Sequence, residues 1–259
     1  MTSLALIGGS GFGRLPEFEI GEEQSVATPY GPPSGSLLVG YLWGQPLVFL
    51  ARHGRDHRIP PHKVNYRANI WALKQAGADM IIGIAAVGGI TKHCEPGTLV
   101  IPDQIIDYTW GREHTFHEGD DQPVTHIEFT RPYCDELRNV IIETCGELNI
   151  PVIKAGCYAA TQGPRFETTA EVNKLESDGA DIVGMTGMPE ASLAREAGIC
   201  YATIAIVVNS AAGRGSGVIA ASDIEQTFVN DTKKIYELLG ALIPKVRDLD
   251  YEFPDAIQP

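Results

Sequence analysis

Three short segments carry residue types that can do chemistry. Gly8-Gly9-Ser10-Gly11-Phe12-Gly13 follows an apolar run and offers a glycine turn with a hydroxyl. The N–H groups of such a turn, with Ser10, could hold an anion; a plain tight turn would look the same. The G-x-G-x-x-G spacing of dinucleotide sites fails here, because Arg14 stands where the last glycine counted from Gly9 belongs, and no G-x-x-x-x-G-K-[ST] loop occurs. Arg52-His53-Gly54-Arg55 follows a second apolar run. A planar guanidinium matches two phosphate oxygens and a neighbouring imidazole adds a hydrogen bond, whereas the bland alternative is a solvated basic loop. His114 and His117 stand three apart, with Glu118, Asp120 and Asp121 behind them. On a helix both rings could reach one ion, but Gly111, Gly119 and Pro123 make this a loop, and no metal is expected. His57 and His62 read as surface or structural. A G-x-S-x-G elbow is missing, and no acidic pair suggests a glycosidase.

These residues need elements to hold them. Leu4 to Ile7 reads as a short buried strand running into the glycine turn, followed by polar turn signals; Leu47 to Ala51 reads as a second strand delivering Arg52. A helix is predicted over Asn65 to Ala76, a strand over Met80 to Val87 and a short one over Leu99 to Ile101. Helical spacing recurs at 136–148, a strand at Val152 to Ala160, a helix at 167–177, a strand at Ile182-Val183 and a helix at 192–197. Tyr201 to Val208 is apolar throughout, as a central strand covered on both faces would be. The last helix is expected to start at Asp223 as N-cap and to present Ile224, Phe228, Ile235, Leu238, Leu242 and Val246 to the sheet. Neither a repeat nor a composition break divides the chain. The reading is α/β: a single domain over residues 1–259, with a central mixed, mostly parallel sheet flanked by helices and ligands at the strand C-termini.

Composition narrows the partners. With 259 residues, 44% hydrophobic and 20% charged, the chain can bury a real core, which excludes disorder and disulfide-stapled miniproteins. Asp and Glu outnumber Lys and Arg by 33 to 20, so the basic footprint of a nucleic-acid binder is missing. The N-terminus shows no basic leader and no apolar run reaches the ~20 residues of a membrane span, so a cytoplasmic protein is expected. Five scattered cysteines, an odd count with no C-x-x-C, read as reduced core thiols.

Five ordered motifs carry a resemblance: Ile7-Gly8-Gly9-Ser10-Gly11, Ala51-Arg52-His53-Gly54, Val64-Asn65-Tyr66-Arg67-Ala68-Asn69, Gln162-Gly163-Pro164-Arg165-Phe166-Glu167-Thr168 and Gly184-Met185-Thr186-Gly187-Met188-Pro189-Glu190. From about Leu6 to the last helix the chain resembles the purine nucleoside phosphorylase and methylthioadenosine phosphorylase family. The resemblance implies cleavage of a purine nucleoside by inorganic phosphate as co-substrate, without metal or cofactor. It assigns Ser10, Arg52, His53, Thr186 and the backbone near Ala86 to phosphate, Met185 to the pentose, and Phe166, Glu167 and Asn209 to the base. Glu167 and Asn209 carry the catalytic and selective roles. His126 would reach the 5′ group in a neighbouring subunit of a homotrimer, and Val218 and Ile219 would cover that group.

An ionised Glu167 and the amide of Asn209 fit the N1–H and O6 of a 6-oxopurine, while adenine reverses that polarity. Other segments look closer to the methylthioadenosine branch. The favoured substrate is therefore 5′-methylthioinosine, with 5′-methylthioadenosine or a broad range of 6-oxopurine nucleosides as alternatives and a nucleoside or phosphate sensor as the non-enzymatic one.

Overall fold

The computed structural model describes residues 3–9, 16–119, 125–215, 221–247 and 249–251, with the side chains of the last helix described from Thr232. Its strands are β1 (Leu4–Gly8), β2 (Phe18–Gln24), β3 (Leu37–Leu42), β4 (Gln45–Ala51), β5 (Met80–Gly89), β6 (Leu99–Val100), β7 (Gln104–Asp107), β8 (Val152–Ile153), β9 (Cys157–Ala160), β10 (Ile182–Gly184) and β11 (Cys200–Ser210). The helices are α1 (Tyr66–Gln75), α2 (Asp135–Glu147), α3 (Thr169–Ser177), α4 (Gly187–Glu196) and α5 (Ala221–Val246). All the strands join one sheet, in which six of the ten pairings among the described residues are parallel.

The centre is β4, β1, β5 and β11, all parallel. Alternate residues of these apolar strands face opposite sides, as the two-residue period of a strand requires. Leu4, Leu6, Ile82, Ile84, Ile204 and Ile206 pack with Leu137 and Ile141 of α2 and Leu238 and Leu242 of α5. Ala5, Ile7, Ile81, Val87, Ala205 and Val207 pack with Ile70 and Leu73 of α1 and Leu193 of α4.

Two irregularities prepare the site. One edge of β5 pairs with β1 from Met80 to Gly83 and with β10 only at Gly88 and Gly89, so the peptide groups of Ile84–Val87 on that edge have no strand partner among the described residues. On the other edge β11 runs in register up to Val207, opposite Val87, and then carries a one-residue bulge that sets Asn209 opposite Gly88. Such bulges re-aim a strand end.

Several expectations are corrected. The stretch after the glycine turn contains the β2–β3 hairpin, unseen in the sequence because β2 is an exposed, Glu-rich edge strand whose charges guard it against edge pairing. The strand expected over Val152 to Ala160 is two, broken where Gly156 N–H donates to Asp103 Oδ1 (2.8 Å) and Cys157 N–H to Asp181 Oδ2 (2.9 Å). The last helix is already formed at Ala221, so Asp223 lies inside it rather than capping it; the side chains of Ile224 and Phe228 lie outside the described residues. Cys134, at the N-cap of α2, and Cys200, opening β11, form a disulfide, against the expectation of reduced thiols. Cys94, Cys145 and Cys157 are free. No described helix is long and apolar enough to cross a membrane.

Candidate active site

Beneath the gap in the sheet lies a charged network. Arg52 follows the last residue of β4 and is only 1% exposed, as is Glu190 on α4. Arg52 donates from Nε and Nη2 to the two Glu190 oxygens, each at 2.6 Å, and from Nη1 to the Ile84 carbonyl at 3.0 Å. The Tyr201 hydroxyl donates to Glu190 Oε1 (2.8 Å) and accepts from Thr203 Oγ1 (3.2 Å). Glycine is required here: a Cβ on Gly9 would stand 2.8 Å from Arg52 Nη1 and one on Gly83 2.5 Å from the Tyr201 hydroxyl. Burial opposes the charge on Arg52, but Glu190 beside it more than offsets this and holds the guanidinium above its ordinary range. Burial, reinforced by Glu190, pushes the Tyr201 phenol up, so it stays a donor.

His53 adds a neutral group. Burial and the adjacent Arg52 bring its imidazole down from 6.5 to about 4. Its Nδ1 lies 2.8 Å from the Ile59 carbonyl, which can only accept. The hydrogen is therefore on Nδ1, and Nε2 of the neutral ring is an acceptor.

Arg52, His53, Ala86 and Thr186 line one cavity of about 520 Å³ together with Met185, Phe166, Glu167 and Asn209. Thr186 occupies the N-cap position of α4 but makes no side-chain capping bond. Glu167 precedes α3 rather than joining it, because Thr168 caps that helix through a capping box with Glu171. The freed Glu167 carboxylate accepts from Thr161 Oγ1 at 2.7 Å. Asn209 spends one amide hydrogen on the Ser210 carbonyl (2.7 Å), which leaves its second hydrogen and its oxygen. Phe166 is 49% exposed. One end of the cavity thus offers N–H and O–H donors around a buried guanidinium, and the other a carboxylate, an amide and an aromatic ring. The first suits an oxyanion and the second a planar heterocycle.

A model of the Phosphorylase superfamily matches residues 3–244. The chain belongs to that superfamily. It is 48% identical over 243 residues to a probable S-methyl-5′-thioinosine phosphorylase of Pseudomonas syringae pv. tomato, covering 94% of this chain and 99% of the relative. It is 44% identical over 251 residues to the 6-oxopurine nucleoside phosphorylase of Pyrococcus furiosus, covering 95% and 94%. Among solved structures, methylthioadenosine phosphorylase from Schistosoma mansoni in complex with adenine superposes with a TM-score of 0.92 at 33% identity, covering 96% of this chain and 93% of that one.

Of the family positions assigned in the sequence, eight meet in the one cavity. Ser10, Val218 and Ile219 lie outside the described residues. His126 is exposed and does not line this cavity. His57, expected on the surface or in a structural role, is exposed yet forms part of the cavity wall, its ring centroid 4.6 Å from that of His53. The solvated-loop alternative for 52–55 fails for Arg52 and His53, both buried, and holds for Arg55, 47% exposed and paired with Glu23. Glu118, needed for the metal alternative, pairs with Arg67 at 2.5 Å. No cluster of three metal-ligating side chains occurs among the described residues.

Two supporting residues escaped the sequence reading, Thr161 and Arg112; Glu190 stood in the last of the five motifs as a structural support without a chemical step. Arg112 is buried and donates to the carbonyls of Met185 (2.9 Å), Met188 (2.6 Å), Thr161 (3.2 Å) and Gln162 (2.9 Å). It ties the segment behind Met185 and Thr186 to the one leading to Phe166 and Glu167. In the sequence it sits in a polar, Gly-flanked loop, where nothing distinguishes it from a surface arginine.

Proposed function

We propose that the protein cleaves the N-glycosidic bond of 5′-methylthioinosine with inorganic phosphate, releasing hypoxanthine and 5-methylthioribose 1-phosphate in purine salvage. The observation that carries this is the meeting, in one cavity, of the Arg52 and Thr186 donors and the His53 acceptor with the Glu167 and Asn209 pair. The substrates in the names of the Pseudomonas and Pyrococcus relatives support a 6-oxopurine base.

As the C1′–N9 bond breaks, the pentose becomes oxocarbenium-like; a phosphate oxygen held against C1′ stabilises that charge and then bonds to it, so no protein nucleophile or cofactor is needed. Arg52, Thr186, Ser10 and the Ala86 backbone hold the phosphate. His53 Nε2, an acceptor, takes a hydrogen from a protonated phosphate oxygen or a sugar hydroxyl. Asn209 donates to N7 of the departing base, a hydrogen bond that strengthens as the base gains charge. Glu167 accepts from N1–H, Phe166 packs on the ring and Met185 on the pentose. Val218 and Ile219 cover the methylthio group, and His126 of one subunit serves its neighbour in a cytoplasmic homotrimer.

The test is purine release from 5′-methylthioinosine, 5′-methylthioadenosine and inosine, with and without phosphate. Dominant, phosphate-dependent hypoxanthine release from methylthioinosine is expected. Dominant adenine release would overturn the base assignment, and a nucleoside that raises the melting temperature without turnover would mark a sensor.

A further inference from the structure

We infer that Thr161 is a specificity-determining positioning residue: its hydroxyl fixes the orientation of the Glu167 carboxylate, so the base end accepts from a purine N1–H and disfavours a purine whose N1 is itself an acceptor. This rests on the placement of the base against Glu167 proposed above.

Glu167 is a partition. It lines the main cavity on one side and a second cavity of about 280 Å³ on the other, and Thr161 lies on the wall of the second. Thr161 therefore works on a bound base only through Glu167. Its single hydroxyl hydrogen has two acceptors in reach, Glu167 Oε1 at 2.7 Å and the Gly184 carbonyl at 3.3 Å. The shorter contact, to a charged acceptor, wins.

The hydroxyl does not wander. Thr161 N–H donates to the Gly184 carbonyl (2.8 Å) and its own carbonyl accepts from Arg112 Nη2 (3.2 Å), so both peptide groups of this β-branched residue are pinned. Arg112 thus fixes the donor that fixes the carboxylate.

The selectivity follows from polarity. An ionised carboxylate only accepts; a carboxylic acid can also donate. A carboxylate free to rotate could turn away from the base and the discrimination would weaken. A donor already committed to Oε1 holds the group in place and leaves Oε2 for the base.

The experiment compares kcat/KM for 5′-methylthioinosine and 5′-methylthioadenosine at saturating phosphate in the wild type, Thr161→Val, Thr161→Ser and Glu167→Gln. Thr161→Val should lower the methylthioinosine to methylthioadenosine ratio about tenfold, the scale of one charge-assisted hydrogen bond. Thr161→Ser, which keeps the donor, should stay within about twofold of the wild type on that same scale. A Val variant with an unchanged ratio, or a Ser variant as altered as Val, overturns the inference. If Thr161→Val does not fold, Thr161→Ala against Thr161→Ser makes the same comparison. A ratio that responds to Glu167→Gln but not to Thr161→Val sinks the Thr161 role alone, whereas one indifferent to Glu167→Gln sinks the base placement beneath it.

Discussion

Arg52, Glu190, Tyr201 and Thr203 come from the end of β4, from α4 and from β11, and lie beneath the cavity with much of their hydrogen-bonding capacity spent on one another. Phe166, Glu167 and Asn209 reach the opposite end from a loop and a strand end that solvent touches. The first region is charge-balanced before any ligand arrives: Glu190 offsets Arg52, and His53 is neutral at pH 7. An anion there is held by directed donors more than by net charge, which suits a chain of formal charge −13. On the proposed reading the second region discriminates with a few changeable hydrogen bonds. A co-substrate that never varies would then be met by a buried, preorganised network, and the base by side chains replaceable without disturbing the core.

That contrast can be broken first at Glu190. Glu190→Gln leaves a buried guanidinium unbalanced, and arginine cannot shed its proton, so a loss of about 3–5 kcal/mol is expected in chemical denaturation at pH 7. Arg52→Met should cost less, because the stranded carboxyl can take up a proton, while the KM for phosphate rises far more than that for nucleoside. Equal stability losses would contradict the asymmetry.

The Cys134–Cys200 bridge flanks Tyr133 and Tyr201 and so belongs to the buried region. Replacing both cysteines by serine should lower stability by about 2–4 kcal/mol and leave the nucleoside ratio alone. A double variant as stable as the parent would mean the bridge contributes nothing.

At the open end the order of effects reverses. Asn209→Asp should change stability by no more than about 0.5 kcal/mol yet shift preference toward adenine nucleosides by roughly tenfold. An unmoved ratio would remove Asn209 from base recognition.

The smallest effect at neutral pH concerns His53. The folded imidazole sits at about 4 against 6.5 for an ordinary histidine, so between those values the unfolded chain binds a proton that the fold refuses. Stability should therefore fall as pH drops from about 6.5 to about 4, and His53→Asn should flatten the melting temperature over that window. Identical slopes would mean the folded ring protonates normally.

What the sequence disclosed follows the same division. β5 and β11 were legible because both faces are covered and their apolar runs are unbroken; α1 was legible through Asn65, whose side chain accepts from Ala68 N–H. The position of Arg52 after a strand pointed to the site, but its partner Glu190 is 138 residues away, and although it closes one of the motifs nothing local pairs it with Arg52. Cysteine pairing across 66 residues has no local signature either. The hairpin of β2 and β3 hid because an edge strand need not alternate when solvent covers it. Long-range partnership, not local propensity, was the missing information.

The one-residue slip in β11 has a consequence for transplanting selectivity. Residues paired across neighbouring strands project to the same side, so Val207 follows Val87 while Asn209 follows Gly88, and the slip puts these two on opposite sides. An unslipped strand of the same composition would carry the same asparagine in the opposite phase, toward the layer that receives Val207. The preference attributed to Asn209 is therefore written partly in backbone phase. Grafting that residue onto another strand would carry the preference along only if the skipped beat travelled with it.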